Sequence, residues 1–309
     1  MNLSNWHGSK SGRKRKITRL GQFFFAATLV LTSVTSAFAY MGMEHPFSAQ
    51  SIFYQDWQQG LSENNIGIDE QGIDQGAHGD CWFESAVASL SIIPAGSRLL
   101  SDMIVTDGNG WSVTFQDTPQ EHHKVTRADI QRVHVRNNAL WADVLEAALI
   151  NRFPLLMKGK TGAQEVGHKF HTEYQQGTGQ FGLSMLCGHK AEHADVASIP
   201  QEDLEHILYR NDGMHYALTA STYNTLPDAT TPIPGNHVYS FLRYEPATKT
   251  VWMRNPWGTN NPTKDMPQLV TTGKTKDGIQ NLGGGVLRMH IRTFRHYYQA
   301  VNWNTVFHS

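Results

Sequence analysis

The chain has 309 residues, 39% hydrophobic and 17% charged, with a formal net charge of −1; this is ordinary globular composition with enough apolar residues for a core. The charge is unevenly placed. Residues 1–39 carry six Lys/Arg and no acid, leaving 20 Lys/Arg against 27 Asp/Glu, about −7, on the remainder, and an acidic body argues against a nucleic-acid partner.

In chain order, the basic stretch Arg13–Arg19 leads into the apolar run "LGQFFFAATLVLTSVTSAFA", which ends in Ala37-Phe38-Ala39. This pattern is that of a secretory signal peptide, residues 1–39, cut after Ala39, and predicts a secreted or periplasmic protein with no stable membrane association afterwards. The alternative is an uncleaved anchor, since the run is marginal as a span. Residues 40–64 read as an irregular N-terminal arm with aromatic anchors at Phe47, Phe53, Tyr54 and Trp57. A buried helix is expected over Cys81–Ile93, ended by Pro94 and Gly96.

A short helix follows in "RLLSDMIV", then a strand in "GWSVTFQ" after the turn Asp107–Gly110, then a helix in "NALWADVLEAALINRF" with apolar residues at helical spacing. Residues 158–190 are glycine-rich and polar and read as a crossing between two halves. Next come a helix in "PQEDLEHILYR", a strand in "HYALTAST", and two strands, "HVYSFLRYE" and "TVWMRNP", joined at Pro246–Lys249. The segment "GGGVLRMHIRTFRHYYQAVNW" predicts strand, short helix, strand. No internal repeat occurs. Helices precede strands, so the expected class is α+β.

Two cysteines are too few for a disulfide framework, and two free thiols are expected. Cys81 follows Gly79 and Asp80, a good N-cap residue, so it would be the first helical residue. There the helix dipole and free N–H groups favour thiolate, the nucleophilic form; the competing reading is a small buried cysteine. A nucleophile needs a base, and the base an orienting group. Among 16 histidines, His237 stands out. If its strand pairs with "TVWMRN", His237 and Asn255 fall within a residue or two of being opposite. Asn255 would then fix the imidazole tautomer and leave the other nitrogen toward Cys81. Acyl transfer also needs oxyanion donors, for which the Cys81 N–H and the Gln75 amide are candidates.

"QGAHGDCWF", "NHVYSF" and "VWMRNPWG" resemble the Cys, His and Asn motifs of calpain-type cysteine peptidases. "LWADVLEAAL" is similar to their L-W-x-x-L-L-E-K-A helix, and "GGGVLRMHIRTF" to their closing strand and helix. The likeness covers about residues 65–300. It implies a papain-like core in two lobes, a Cys-bearing helical lobe over 65–188 and a His/Asn-bearing β lobe over 189–309, with the substrate cleft between them. It also implies Gln75 as the oxyanion donor and Trp257 as a shield for the His–Asn contact. Trp82 and Glu84, beside Cys81, are expected along the cleft.

Glu84 departs from the family, which has a bulky apolar residue there; one turn from Cys81, a carboxylate would raise the thiol pKa or contact substrate. The calcium-binding loops are poorly matched: "KGKTGAQEVGHKF" offers only Glu165, and "GTNNPTKDMP" lacks the family's acids. His122-His123 and His168/His171 lack partners at ligand spacing, so no metal and no cofactor is expected. The expected activity is that of a monomeric, calcium-independent cysteine endopeptidase acting on protein or peptide substrates. Two alternatives stay open: a catalytically silent relative that binds or inhibits a partner, and an amidase or acyltransferase acting on a non-protein substrate or cell-wall peptide.

Overall fold

The computed structural model describes residues 68–76, 78–133, 137, 139–153, 178–210, 216–226 and 230–306. The leader over 1–39, the arm over 40–64, Glu165, His168 and His171 lie outside these residues. Seven α-helices are described, after a short 3-10 turn at Glu70–Gly72: α1 Cys81–Ser91, α2 Pro94–Met103, α3 Arg127–Val133, α4 Leu140–Arg152, α5 Thr178–Cys187, α6 Gln201–Arg210 and α7 Ile291–Tyr297. β1 (Ile104–Asp107), β2 (Gly110–Val113) and β3 (His123–Val125) form a small antiparallel sheet. An eight-stranded sheet is built from β4 (Glu192–Asp195), β5 (Tyr216–Thr222), β6 (Val238–Glu245), β7 (Thr250–Arg254), β8 (Thr275–Lys276), β9 (Ile279–Gly283), β10 (Val286–His290) and β11 (Tyr298–Thr305), in the order β4-β11-β5-β6-β7-β10-β9-β8. The class is α+β. Among the described residues, no helix is long and apolar enough to cross a membrane.

Differences from the expected elements have local causes. Pro94 does not simply stop α1. It occupies the first turn of α2, where a missing N–H costs nothing, so α2 starts four residues before Arg98. Ile104 and Val105 belong to β1 rather than to that helix. Inside the expected crossing, residues Thr178–Cys187 form α5, a buried helix. Its glycines signal close packing rather than loop: a Cβ on Gly182 would lie 2.5 Å from the Trp82 carbonyl oxygen of α1, and a Cβ on Gly179 would lie 2.5 Å from Thr219 Oγ1 of β5.

Two apolar clusters organise the molecule. One gathers Trp82, Phe83, Leu90, Trp141, Leu145 and Phe181 around α1, α4 and α5. The other gathers Tyr239, Phe241, Met253, Leu287, Phe294 and Tyr298 on the large sheet under α7. Helix α1 lies between the clusters and is tied to the sheet by serines one helical repeat apart. Ser85 Oγ donates to the Val238 carbonyl at 2.7 Å, Ser240 Oγ donates to the Ser85 carbonyl at 3.0 Å, and Ser89 Oγ donates to the Leu218 carbonyl at 2.6 Å. Residues four apart share a helix face, so Cys81 stands on this sheet-facing row with Ser85 and Ser89.

Candidate active site

Cys81 opens α1, so its N–H is among those at a helix start that make no intrahelical bond. Asp80 adopts φ −115° and ψ 20° and gives no side-chain cap, contrary to expectation. Its carboxylate is fully buried and accepts from Gln75 Nε2 at 2.9 Å instead.

The Cys81 thiol is free and half-buried. Burial pushes it up to about 12; the Val238 N–H beside the sulfur opposes that shift and the Asp80 charge adds to it. The expectation of a lowered thiol pKa is therefore corrected: desolvation outweighs the helix terminus in the substrate-free site. The contact with Val238 also sets the sulfur against the residue that follows His237.

His237 is buried immediately before β6, and Asn255 is fully buried immediately after β7. The two strands pair Ser240 with Arg254, after an irregularity between Phe241 and Arg243 shifts the register by one. This brings His237 Nε2 to 2.8 Å from Asn255 Oδ1. The amide orientation follows from its other partners. Oδ1 also accepts from the Trp257 N–H at 3.0 Å, while Nδ2 donates to Asn260 Oδ1 at 3.1 Å. Oδ1 is thus the acceptor, Nε2 carries the proton, and Nδ1 is the basic nitrogen. Burial lowers the His237 pKa to about 4, against the opposing Asn255 bond, so the ring is neutral at neutral pH. Trp257 covers this contact with its ring 4.3 Å from the imidazole.

Asn260 was not singled out in the sequence, yet it holds Asn255 from behind. Its Nδ2 donates to the Gly285 carbonyl at 2.6 Å, and the same carbonyl accepts the Asn255 N–H at 2.9 Å. Gly285 has φ +79°, and a Cβ there would lie 2.7 Å from the Asn255 carbonyl oxygen. The only prior signal was the run Gly283-Gly284-Gly285, which marks a close backbone approach.

The loop ahead of Cys81 docks on the same strand end. The Gln75 N–H donates to the Pro256 carbonyl at 2.8 Å, and Arg254 Nη2 donates to the Ile73 carbonyl at 2.6 Å. This places Gln75 by the helix start but commits both its amide hydrogens, to the His78 carbonyl at 2.7 Å and to Asp80. Its Oε1 is buried without a partner.

Trp82 and Glu84 are not at a surface. Trp82 is 2% exposed and packs on Phe181 of α5; Glu84 is 1% exposed. The helical repeat turns Trp82 away from the Cys81–Ser85 row, while Glu84, one turn on from Cys81, is covered by the surrounding core. Glu84 joins a buried acidic group instead: desolvation, then Glu146, Asp80 and Asp143, raise its pKa well above the carboxylate range, while Arg254 opposes. Asp80 is raised likewise by burial and by Glu146.

A thiol set against the residue that follows a neutral, Asn-oriented imidazole, at a helix start, has the parts of a nucleophilic acyl-transfer site. No curated protein matches the sequence. The family model described as calpain family cysteine protease matches residues 55–302. The match spans most of the chain and contains both motif regions, so this chain belongs to the calpain family of cysteine proteases.

Proposed function

We propose that this protein is an exported, calcium-independent cysteine endopeptidase with a papain-like, two-lobed core, working as a monomer on protein or peptide substrates. The observation that carries the reading is the buried His237–Asn255 contact at 2.8 Å, with its tautomer fixed by the Trp257 N–H. Cys81 Sγ attacks the scissile carbonyl carbon while His237 Nδ1 takes the thiol proton. The imidazolium returns that proton to the leaving amine as the C–N bond breaks. A water, deprotonated by His237, then releases the acyl group and restores the thiol. The Cys81 N–H is one oxyanion donor; Gln75 Nε2 becomes the second on exchanging Asp80 for the oxyanion. Export is supported by the N-terminal pattern of basic stretch, apolar run and Ala-Phe-Ala.

Calcium independence is supported by the loop after Asn255. Asn260 is bonded to Gly285, Asn261 Oδ1 accepts from the Thr272 N–H at 2.7 Å, and Asp265 is its one carboxylate. That set does not fit an ion needing six to eight oxygens.

One observation favours the silent-binder alternative: both Gln75 amide hydrogens are already used. A single experiment separates the two. Mature chain from Tyr40, beside Cys81→Ala, is incubated under reducing conditions with an epoxide thiol inhibitor and with casein, with and without EDTA. The peptidase reading requires labelling at Cys81 and Cys81-dependent cleavage that survives EDTA. Absence of both labelling and cleavage supports the binder, and cleavage abolished by EDTA and restored by calcium chloride but not by zinc chloride refutes calcium independence.

A further inference from the structure

A second constellation gathers around Asp80, the residue before Cys81. His78 Nδ1 lies 3.2 Å from Glu146 Oε1, and ligand atoms of His78, Asp80 and Glu146 all lie within 4.8 Å of one another. Asp80 and Glu146 are fully buried, and the His78 side chain is 10% exposed. Two ligands bound at about 2.0–2.2 Å by a tetrahedral cation stand about 3.3–3.6 Å apart, close to the observed His78–Glu146 separation of 3.2 Å.

The outer contacts follow the pattern of a ligating site. Each carboxylate has one oxygen held by a neutral amide: Asp80 Oδ1 by Gln75 Nε2 at 2.9 Å, and Glu146 Oε2 by Asn137 Nδ2 at 2.7 Å. Asn137 is itself fixed by accepting the Asp74 N–H at 2.9 Å. Such outer bonds orient ligands around a metal. They leave Glu146 Oε1 turned to His78, Asp80 Oδ2 buried with no geometric hydrogen bond, and the two carboxyl groups close enough to interact directly.

A separate observation points to a missing positive charge. Glu84, on the next turn of α1, is 1% exposed, and both its oxygens lack a hydrogen-bond partner. The charges acting most strongly on it are those of Glu146 and Asp80. The nearby Arg254 sends Nη2 to the Ile73 carbonyl and makes no ion pair with Glu84. Buried carboxylates are met by protonation, by pairing or by a metal; with Glu84 and Asp80 Oδ2 unpartnered, this group has oxygens to offer a cation.

We infer that His78, Asp80 and Glu146 bind a divalent cation of the zinc class, with Glu84 supplying further negative charge behind them. One imidazole with two carboxylates suits zinc, whereas calcium takes more oxygens and no imidazole. The inference does not depend on the peptidase reading, because binding is measured in a chain without the thiol.

The test uses the full chain carrying Cys81→Ala, stripped with EDTA and dialysed. It is titrated calorimetrically with zinc chloride and, separately, calcium chloride at pH 7.5. Zinc is expected to bind at this site and to raise the thermal midpoint. Both Glu146→Gln and His78→Ala should weaken that binding at least about tenfold. The zinc absorption edge of the loaded chain should report one imidazole among oxygen ligands, a readout that needs no ligand variant to fold. Three results overturn the inference: no zinc binding; affinity and stoichiometry unchanged in both variants, as for surface histidines; or calcium binding in preference to zinc. If neither variant folds, a coordination sphere with sulfur or several imidazoles overturns it.

Discussion

Gln75 donates its side-chain amide to the carboxylate of Asp80, the residue before the nucleophile, at 2.9 Å. The residue expected to hold an oxyanion therefore spends its donor on a fixed anion when substrate is absent. A developing oxyanion must displace that bond, so the amide contributes in the transition state more than in the substrate complex. Gln75→Ala is expected to lower kcat by about 10²–10³ with little change in KM, measured by steady-state cleavage of a peptide substrate. A loss confined to KM would place Gln75 in ground-state binding instead.

Asn255 has all its amide groups engaged by His237, Trp257 and Asn260. Asn255→Ala strands buried donors and an acceptor, at a cost of about 1–3 kcal/mol each. We expect a lower urea midpoint together with a fall in kcat. Asn260→Ala, which touches no reacting atom, should reduce kcat at constant KM and shift the pH profile as His237 loses its fixed tautomer.

His237 has a folded-state pKa of about 4 against an ordinary 6.5. Between these values the unfolded chain binds the proton and the folded one does not. Stability from this group is therefore present above pH 6.5 and lost as pH falls toward 4, by up to about 3 kcal/mol. Urea unfolding at pH 7 and pH 4.5 checks this. The loss on acidification should be smaller in His237→Ala than in wild type, and equal losses would refute it.

Gly285→Ala places a methyl 2.7 Å from the Asn255 carbonyl oxygen at a φ of +79°. The backbone must shift where it anchors both Asn255 and Asn260. Stability should fall by about 1–3 kcal/mol, with activity falling further than the fraction unfolded accounts for, as read by activity against circular dichroism.

Glu84→Leu replaces a buried carboxylate without hydrogen bonds by an apolar side chain of similar volume. In EDTA it should stabilise the fold by about 1–3 kcal/mol. A lower urea midpoint would show that Arg254 depends on Glu84 as a counter-charge.

The candidate catalytic constellation was legible because each member sits in a short local pattern. His237 and Asn255 stand at the two open ends of one hairpin, and Cys81 stands where a glycine-bearing loop meets an apolar helix. The buried acidic group was not, because His78 and Glu146 are far apart in the chain and meet only through the packing of α4. Helix α5 was hidden for a related reason: glycine carries the same letter whether it loosens a loop or lets Gly182 touch Trp82. The misplacement of Trp82 and Glu84 was avoidable. Trp82, one position from Cys81, stands about 100° round the helix from it, and Glu84, though one turn on, sits in an alanine-rich apolar run that reads as buried.

β11 is the last strand in chain order, yet it lies inside the large sheet, between β4 and β5. The sheet carrying His237 and Asn255 is therefore incomplete until β11 has inserted between two strands that precede it in the chain. Cys81, by contrast, emerges early on a helix that needs Val238 and Leu218 to hold it. Contacts of such long sequence separation form slowly. Assembly of the candidate site is thus tied to a distant segment: a chain cut between β10 and β11 keeps Cys81, His237 and Asn255 but loses the strand that joins β4 to β5.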